Sequence, residues 1–99
     1  MSVIVTAKVH GDTDLFRKTL VERADDLVKM SEQGRAAGAI HHQLAVGEGF
    51  VLVVDEWESP QQFEQFFSSP EIAAIIRDMG GSGPPEITIG EAVASPDQF

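Results

Sequence analysis

The sequence predicts one α+β domain whose elements run in the order β-α-β-β-α-β. Three observations support this order. Four segments alternate between apolar and polar residues or are continuously apolar, as strands are. A helical period separates the first two of them, and two Ser-Pro helix starts separate the last two. A chain of 99 residues has room for one hydrophobic core, so we expect a single domain over residues 1–99.

The first strand and the first helix account for residues 2–33. Residues 2–10 alternate and are rich in β-branched side chains, which favour a strand. Asp12 or Thr13 can then cap a helix. Apolar residues recur at the helical period over 13–33. Gly34 stands where a left-handed residue often follows a helix, so the sequence predicts one helix ending there.

The second half begins with a predicted hairpin, made of strands at 37–46 and 49–58. The continuous apolar run over 50–54 is typical of a central strand. With a tight four-residue turn, His42 is expected opposite Val53.

Two helix starts follow the hairpin. Ser59 and Ser69 each precede a proline, which places a capping hydroxyl before a residue suited to the first helical position. The pattern predicts two short helices at 60–68 and 70–79. Residues 86–94 alternate again and predict the fourth strand.

This order is the ferredoxin-like pattern, an antiparallel four-stranded sheet with its helices on one face. We expect the first and third strands at the centre. The uncovered apolar face predicts an interface, and a second copy of the chain is the simplest partner. Val3, Val5, Val51 and Val53 are the residues expected on that interface.

Composition and charge exclude several classes of function. Seven Lys and Arg against 16 Asp and Glu give a net charge of −9, which disfavours nucleic acid and anionic membranes as partners. The chain has no cysteine, so thiolate chemistry and Cys-based metal sites are excluded. It has no long apolar run and no basic leader. We expect a soluble, cytoplasmic protein.

Three segments carry a family resemblance: residues 38–44, residues 50–59, and Phe63 with residues 67–70. Together they resemble the antibiotic-biosynthesis-monooxygenase-like group of dimeric α/β barrels. The most specific part is Glu-Trp-Glu-Ser at 56–59, followed by a Phe-rich helix. The resemblance implies a ferredoxin-like fold, a barrel formed across a homodimer, and a small-molecule pocket between sheet and helices.

The resemblance also bears on cofactors. Where haem-degrading members have a ligating His, a Trp and an Asn, this chain has Ile75, Phe66 and Thr6. An isoleucine cannot ligate iron, so we expect no haem and no other cofactor.

Three histidines, His10, His41 and His42, are the candidate catalytic residues, because imidazole titrates near neutrality. One of them is expected to remove a proton from a phenol or an enol. The alternative is a hydrogen-bonded histidine at the rim of the fold. Adjacent strand histidines point to opposite faces and cannot share one ion, so no metal site is expected.

The candidate substrate-binding residues are aromatic, with one exception. Trp57 either stacks on an aromatic ligand or fills the core with its N–H bonded. The same two alternatives hold for Phe63, Phe66 and Phe67, and Thr6 completes the set. The carboxylates at 55–58 are expected at a solvated strand end.

The resemblance and these residues together suggest a cofactor-independent monooxygenase acting on a small aromatic or polyketide-like substrate. The alternative is a non-catalytic homodimer of the same fold, which binds a small ligand or serves a structural role. An acid/base group deep in the pocket favours the enzyme. A pocket filled by Phe and Met, with all three histidines at the surface, favours the alternative.

Overall fold

A computed structural model describes all 99 residues. The predicted order is confirmed, with each helical region divided in two. The elements are β1 Val3–His10, α1 Thr13–Glu22, α2 Ala24–Ala37, β2 Ala39–Gly47, β3 Phe50–Trp57, α3 Pro60–Phe67, α4 Pro70–Asp78 and β4 Glu86–Glu91.

The four strands form one antiparallel sheet in the order β2-β3-β1-β4. The two central strands are β1 and β3, as predicted, and this is the ferredoxin-like topology. None of the helices is both long and apolar enough to cross a bilayer.

The helices cover the sheet face that carries the odd-numbered residues of β1. Val5 is fully buried there and Val3 is 6% exposed, and both pack in one cluster with Phe63 of α3. Val51 and Val53 share this face, because they pair with Val9 and Ala7 of β1. The expectation that Val3, Val5, Val51 and Val53 form a dimer interface is therefore wrong, since the chain's own helices lie over them.

The opposite face of the sheet, which we call the open face, has no helix over it. Its central rows pair Ile4 with Glu56, Thr6 with Val54, and Lys8 with Leu52. The Ile4 side chain remains 41% exposed. If a second copy covers any apolar surface of the sheet, it is this one.

The long first helix predicted by the sequence is two helices that meet at Arg23. Arg23 leaves helical geometry and joins Asp26 of α2 (3.1 Å) to Asp78 of α4 (3.3 Å). Gly34 does not end the second helix but lies buried within it. The helix ends at Gly38, where φ of +122° favours glycine.

The predicted helix starts are confirmed. Asp12 accepts a hydrogen bond from the Leu15 amide, Ser59 from the Gln62 amide and Ser69 from the Ile72 amide. These side chains satisfy amides that have no partner within the helix.

The β2–β3 hairpin is tighter than the sequence analysis assumed. Gly47 pairs with Phe50, which leaves a two-residue turn with Gly49 at φ +80°. His42 therefore lies opposite Asp55 rather than Val53. The observed register differs from the expected one by two residues, so the new partner of His42 lies on the same sheet face as Val53.

Candidate active site

A cavity of about 680 Å³ lies between the helices and the helix-covered face of the sheet. Its wall is mostly apolar and combines residues of α2, the sheet and α4, among them Leu27, Val28, Leu44, Val53, Ile75 and Ile76. The volume falls within the range of small-molecule sites, roughly 300–1,000 Å³.

A chain of three hydrogen-bonded side chains stands in this wall. His42 Nδ1 lies 2.6 Å from Asp55 Oδ1, and Trp57 Nε1 donates to Asp55 Oδ2 at 3.0 Å. The Asp55 side chain is 7% exposed, whereas that of His42 is 44% exposed. Both carboxylate oxygens are therefore bonded, and the imidazole reaches from the wall toward the cavity and its mouth.

The local sequence explains this arrangement. Asp55 and Trp57 are two residues apart on β3, so both side chains point to the same face of the sheet. The antiparallel register places His42 directly opposite Asp55, and side chains so placed are within contact distance. Two extended strands hold the three groups, so their geometry depends on no flexible loop.

The partner of His42 determines its protonation. An ionised carboxylate only accepts hydrogen bonds, so Nδ1 carries the proton that it donates to Asp55. The Nε2 atom makes no hydrogen bond within the protein and, in the neutral ring, has a free lone pair. The hydrogen bond to Asp55 raises the pKa of His42, against the opposing effect of burial.

The other two candidate bases have different surroundings, although both border the cavity. His41 pairs with Glu56 on the open face and makes no side-chain hydrogen bond. His10 lies on the open face too, and its Nε2 is 2.9 Å from Glu86 Oε2 in an exposed pair. Neither imidazole is anchored to a buried carboxylate as His42 is.

The aromatic candidates form one packed group. Trp57, 2% exposed, meets Phe63 edge-on at 5.8 Å and Phe66 at 5.4 Å, and Phe63 stacks on Phe67 at 5.1 Å. Trp57, Phe66 and Phe67 line the cavity, whereas the buried Phe63 supports them from behind.

Thr6 is not part of this group. It pairs with Val54 and Thr88 on the open face and does not line the cavity. The structure therefore separates Thr6 from the other candidate substrate-binding residues. No cluster of three or more His, Asp or Glu side chains is arranged to hold a metal ion.

Sequence reasoning missed Asp55. The expectation that it lies at a solvated strand end is wrong, because Asp55 is buried beside Trp57. The available signal was the i,i+2 spacing of an acid and a tryptophan on a mostly apolar strand. The missing information was the register that brings His42 to the same carboxylate.

Comparison with known proteins supports the fold rather than a particular activity. No family model and no curated protein matches the sequence. Among solved structures, the fold is similar to Rv0793 from Mycobacterium tuberculosis, with 18% identity, a TM-score of 0.63, and coverage of 98% of this chain and 100% of the other.

Two further neighbours have described activities. The monooxygenase from the gene ActVA-Orf6 of Streptomyces coelicolor, in complex with nanaomycin D, has 20% identity and a TM-score of 0.66 over 99% of this chain and 93% of its own. SnoaB from Streptomyces nogalater, a cofactor-independent oxygenase, has 13% identity and a TM-score of 0.58 over 98% of each chain.

Fold and cavity thus define a ferredoxin-like α+β protein with a small-molecule-sized pocket under its helices. More narrowly, the chain has the fold of the antibiotic-biosynthesis-monooxygenase-like proteins, as the resemblance implied.

Proposed function

We propose that the protein is a cofactor-independent monooxygenase acting on a small phenolic aromatic or polyketide-like substrate. One observation carries the proposal: a histidine anchored through Nδ1 to a buried aspartate borders an apolar cavity. His42 is 44% exposed and stands at the edge of the pocket rather than deep in it; an acid/base group in that position supports an enzyme over a binding module.

The chemistry needs only the substrate, oxygen and a base. His42 Nε2 accepts the phenolic proton, and Asp55 stabilises the resulting imidazolium. The phenolate transfers electrons to O2, and a bond forms between oxygen and the ring carbon para to the phenolic oxygen. The C–H proton is then lost and the O–O bond breaks, which releases water and leaves a quinone. One phenol and one O2 give one quinone and one water.

The cavity suits such a substrate. Phe66 and Phe67, both partly exposed, offer aromatic surface to a flat ring, and aromatic pairs favour offset or edge contacts. Neither His10 nor His41 is hydrogen-bonded to a buried carboxylate as His42 is, so we assign the base role to His42 among the three histidines.

We also propose that the protein is a homodimer joined through the open face. Ile4, Leu52 and Val54 give that face an apolar centre, and a second copy laid on it would close the two sheets into a barrel. The cavity lies on the other side of each sheet, so dimerisation leaves it accessible.

The test is oxidation of 1,5-dihydroxynaphthalene in air, followed by the absorbance of the hydroxynaphthoquinone product. His42→Ala is expected to reduce the rate by about 10²-fold or more. His41→Ala is the matched control, because it removes the neighbouring imidazole from the opposite face. Labelled O2 should place one heavy oxygen atom in the product. Equal rates in all three proteins would contradict the proposal, and no turnover in any of them would favour the non-catalytic alternative.

A further inference from the structure

The His42–Asp55 pair provides the oriented base that proton transfer at carbon requires. Asp55 Oδ1 fixes the imidazole at 2.6 Å and its other oxygen is held by Trp57 at 3.0 Å, so the ring is oriented before any ligand enters. The lone pair on Nε2 has no partner in the protein. None of these features depends on oxygen.

We propose that this pocket has a second activity, oxygen-independent keto–enol interconversion of a cyclic or aryl ketone. The substrate is a neutral carbon acid with a C–H bond next to its carbonyl group. The choice of His42 rests on the base role proposed above, but the reaction and its measurement need no oxidation.

The proposed step balances within the substrate and the imidazole. Nε2 accepts the proton from carbon, the C–H bond breaks, and its electron pair forms the enolate while the carbonyl becomes an oxyanion. Return of a proton to carbon restores the ketone, and return to oxygen gives the enol. No external oxidant or reductant takes part.

Because His42 is half exposed, hydrogen on the substrate carbon can be replaced by hydrogen from solvent. A fully buried imidazole would hand the same proton back to the substrate. At 44% exposure the ring borders the cavity and also meets water, so its proton is replaced by one from solvent between abstraction and return. The ligand carbon therefore acquires solvent protons.

Donors for the enolate oxygen are available on the facing helix. The chain reverses direction at Gly38, between α2 and β2. At a rise of about 1.5 Å per helical residue, Ser31 lies roughly 10 Å from Gly38 along α2. With about 3.3 Å per strand residue, His41 lies roughly 10 Å forward along β2. Ser31 and Arg35 therefore stand level with the first half of β2, and both line the cavity.

The remaining charges around His42 are few. Besides Asp55, the charged residues that line the cavity are Asp12, Glu32 and Arg35. Arg35 makes no ion pair within the protein. Its guanidinium is therefore free to meet an oxyanion formed in the cavity.

The experiment is hydrogen–deuterium exchange of 2-tetralone in deoxygenated D2O, followed by proton NMR as the loss of the C1 signal. The wild-type protein is expected to exceed the buffer rate. Gln43→Ala, a change on the open face of β2 outside the cavity, is expected to match the wild type. His42→Ala is expected to lose about 10²-fold or more of the added rate. Circular dichroism confirms that each variant is folded.

Asp55→Asn provides the second readout. Its amide oxygen can accept from His42 Nδ1 or from Trp57 Nε1 but not from both, and the charge that stabilises the imidazolium is gone. We expect slower exchange and a pH–rate midpoint moved to lower pH, which loss of packing alone would not produce.

Exchange by the wild type that does not exceed that of His42→Ala would overturn the proposal. So would a midpoint that Asp55→Asn leaves unmoved. Hydrogen exchange in 2-tetralone without aerobic oxidation of 1,5-dihydroxynaphthalene would support the keto–enol activity and contradict the proposed monooxygenase. Oxidation without hydrogen exchange would support the monooxygenase and overturn the keto–enol activity.

Discussion

His42 and Asp55 face each other across neighbouring antiparallel strands, with Nδ1 and Oδ1 2.6 Å apart. One partner is nearly buried and the other is half exposed. The Asp55 carboxylate is thus packed in the core, while the His42 imidazole lines the cavity. The pair couples the packing of the sheet to the protonation of the group that we propose as the base.

The pair predicts a particular pH dependence of stability. The pKa of His42 is raised, first by its hydrogen bond to Asp55. A group whose pKa is higher in the folded state stabilises that state below its unfolded pKa, about 6.5 for histidine, and the effect is lost as pH rises through the folded pKa. The free energy of unfolding of the wild type should therefore exceed that of His42→Gln by more in mild acid than in mild alkali.

Urea denaturation of both proteins across that range measures the difference. Gln43→Ala on the same strand, which replaces a residue that does not titrate, is the control, and its offset from the wild type should not follow the same trend. A difference for His42→Gln that stays constant with pH would contradict the inferred coupling to Asp55.

Trp57 supports the same carboxylate, which predicts the effect of Trp57→Phe. The phenyl ring preserves much of the packing against Phe63 and Phe66, but the Nε1–H donor to Asp55 Oδ2 is lost. A buried acceptor left without its partner costs about 1–3 kcal/mol. We expect the free energy of unfolding to fall by about that amount, plus the loss from the smaller ring.

A double-mutant cycle separates the two contributions. In the Asp55→Ala background, Trp57→Phe should cost less, because no carboxylate remains to be satisfied. Equal costs in both backgrounds would show that the indole N–H does not stabilise Asp55.

Two glycines of α2 predict opposite responses to the same substitution. A Cβ at Gly34 would stand 3.5 Å from the Phe66 ring, an ordinary contact, in helical backbone. Gly34→Ala is therefore expected to stabilise the protein by about 0.5–1 kcal/mol through helix propensity. A Cβ at Gly38 would lie 2.6 Å from Gln62 Nε2 at φ +122°, so Gly38→Ala should destabilise it. Thermal unfolding should move in opposite directions for the two variants, and a decrease for Gly34→Ala would contradict the contact geometry.

The same two glycines show how far local pattern predicts this fold. The order of the elements, the helix caps and the division of β1 side chains between two faces follow from alternation and from Ser-Pro and Asp signals, which act within a few residues. Which face the helices cover does not follow from them, since Val3 and Val5 were expected on the uncovered face and are buried under the helices. The end of α2 does not follow from them either, because Gly34 and Gly38 look alike in sequence. Only the packing of Phe66 against Gly34 distinguishes them.

The candidate site depends on contacts between residues that lie farther apart in the sequence. The chemistry of histidine singles out His42 and its two alternatives. The choice among them depends on the hairpin register, which a two-residue turn sets. Asp55 was missed because its spacing to Trp57 is the only signal along β3, whereas its other partner, His42, lies on another strand.

Arg35 predicts a preference among ligands. It lines the cavity without an ion-pair partner, so a ligand oxygen with negative charge is its natural partner. Arg35→Gln should weaken binding of 1-hydroxy-2-naphthoate by several-fold and leave binding of neutral 1-naphthol nearly unchanged. Titration of both ligands measures this, with Arg17→Gln on α1, outside the cavity, as the control. Equal weakening for both ligands would point to a lost shape rather than a lost charge.

The open face predicts the oligomeric state. Ile4 is 41% exposed at the centre of an uncovered sheet, and a stable pair of this kind buries on the order of 2,000 Å². Sedimentation at micromolar concentration should give a species of twice 10.7 kDa. Ile4→Lys should yield the monomer, because burying the added charge at the interface costs more than its pairing with Glu56 returns. Val21→Lys, which replaces an 80% exposed apolar residue on α1, should leave the dimer intact. A wild-type monomer would show that the sheet remains open, and a dimer that survives Ile4→Lys would place the interface elsewhere on the chain.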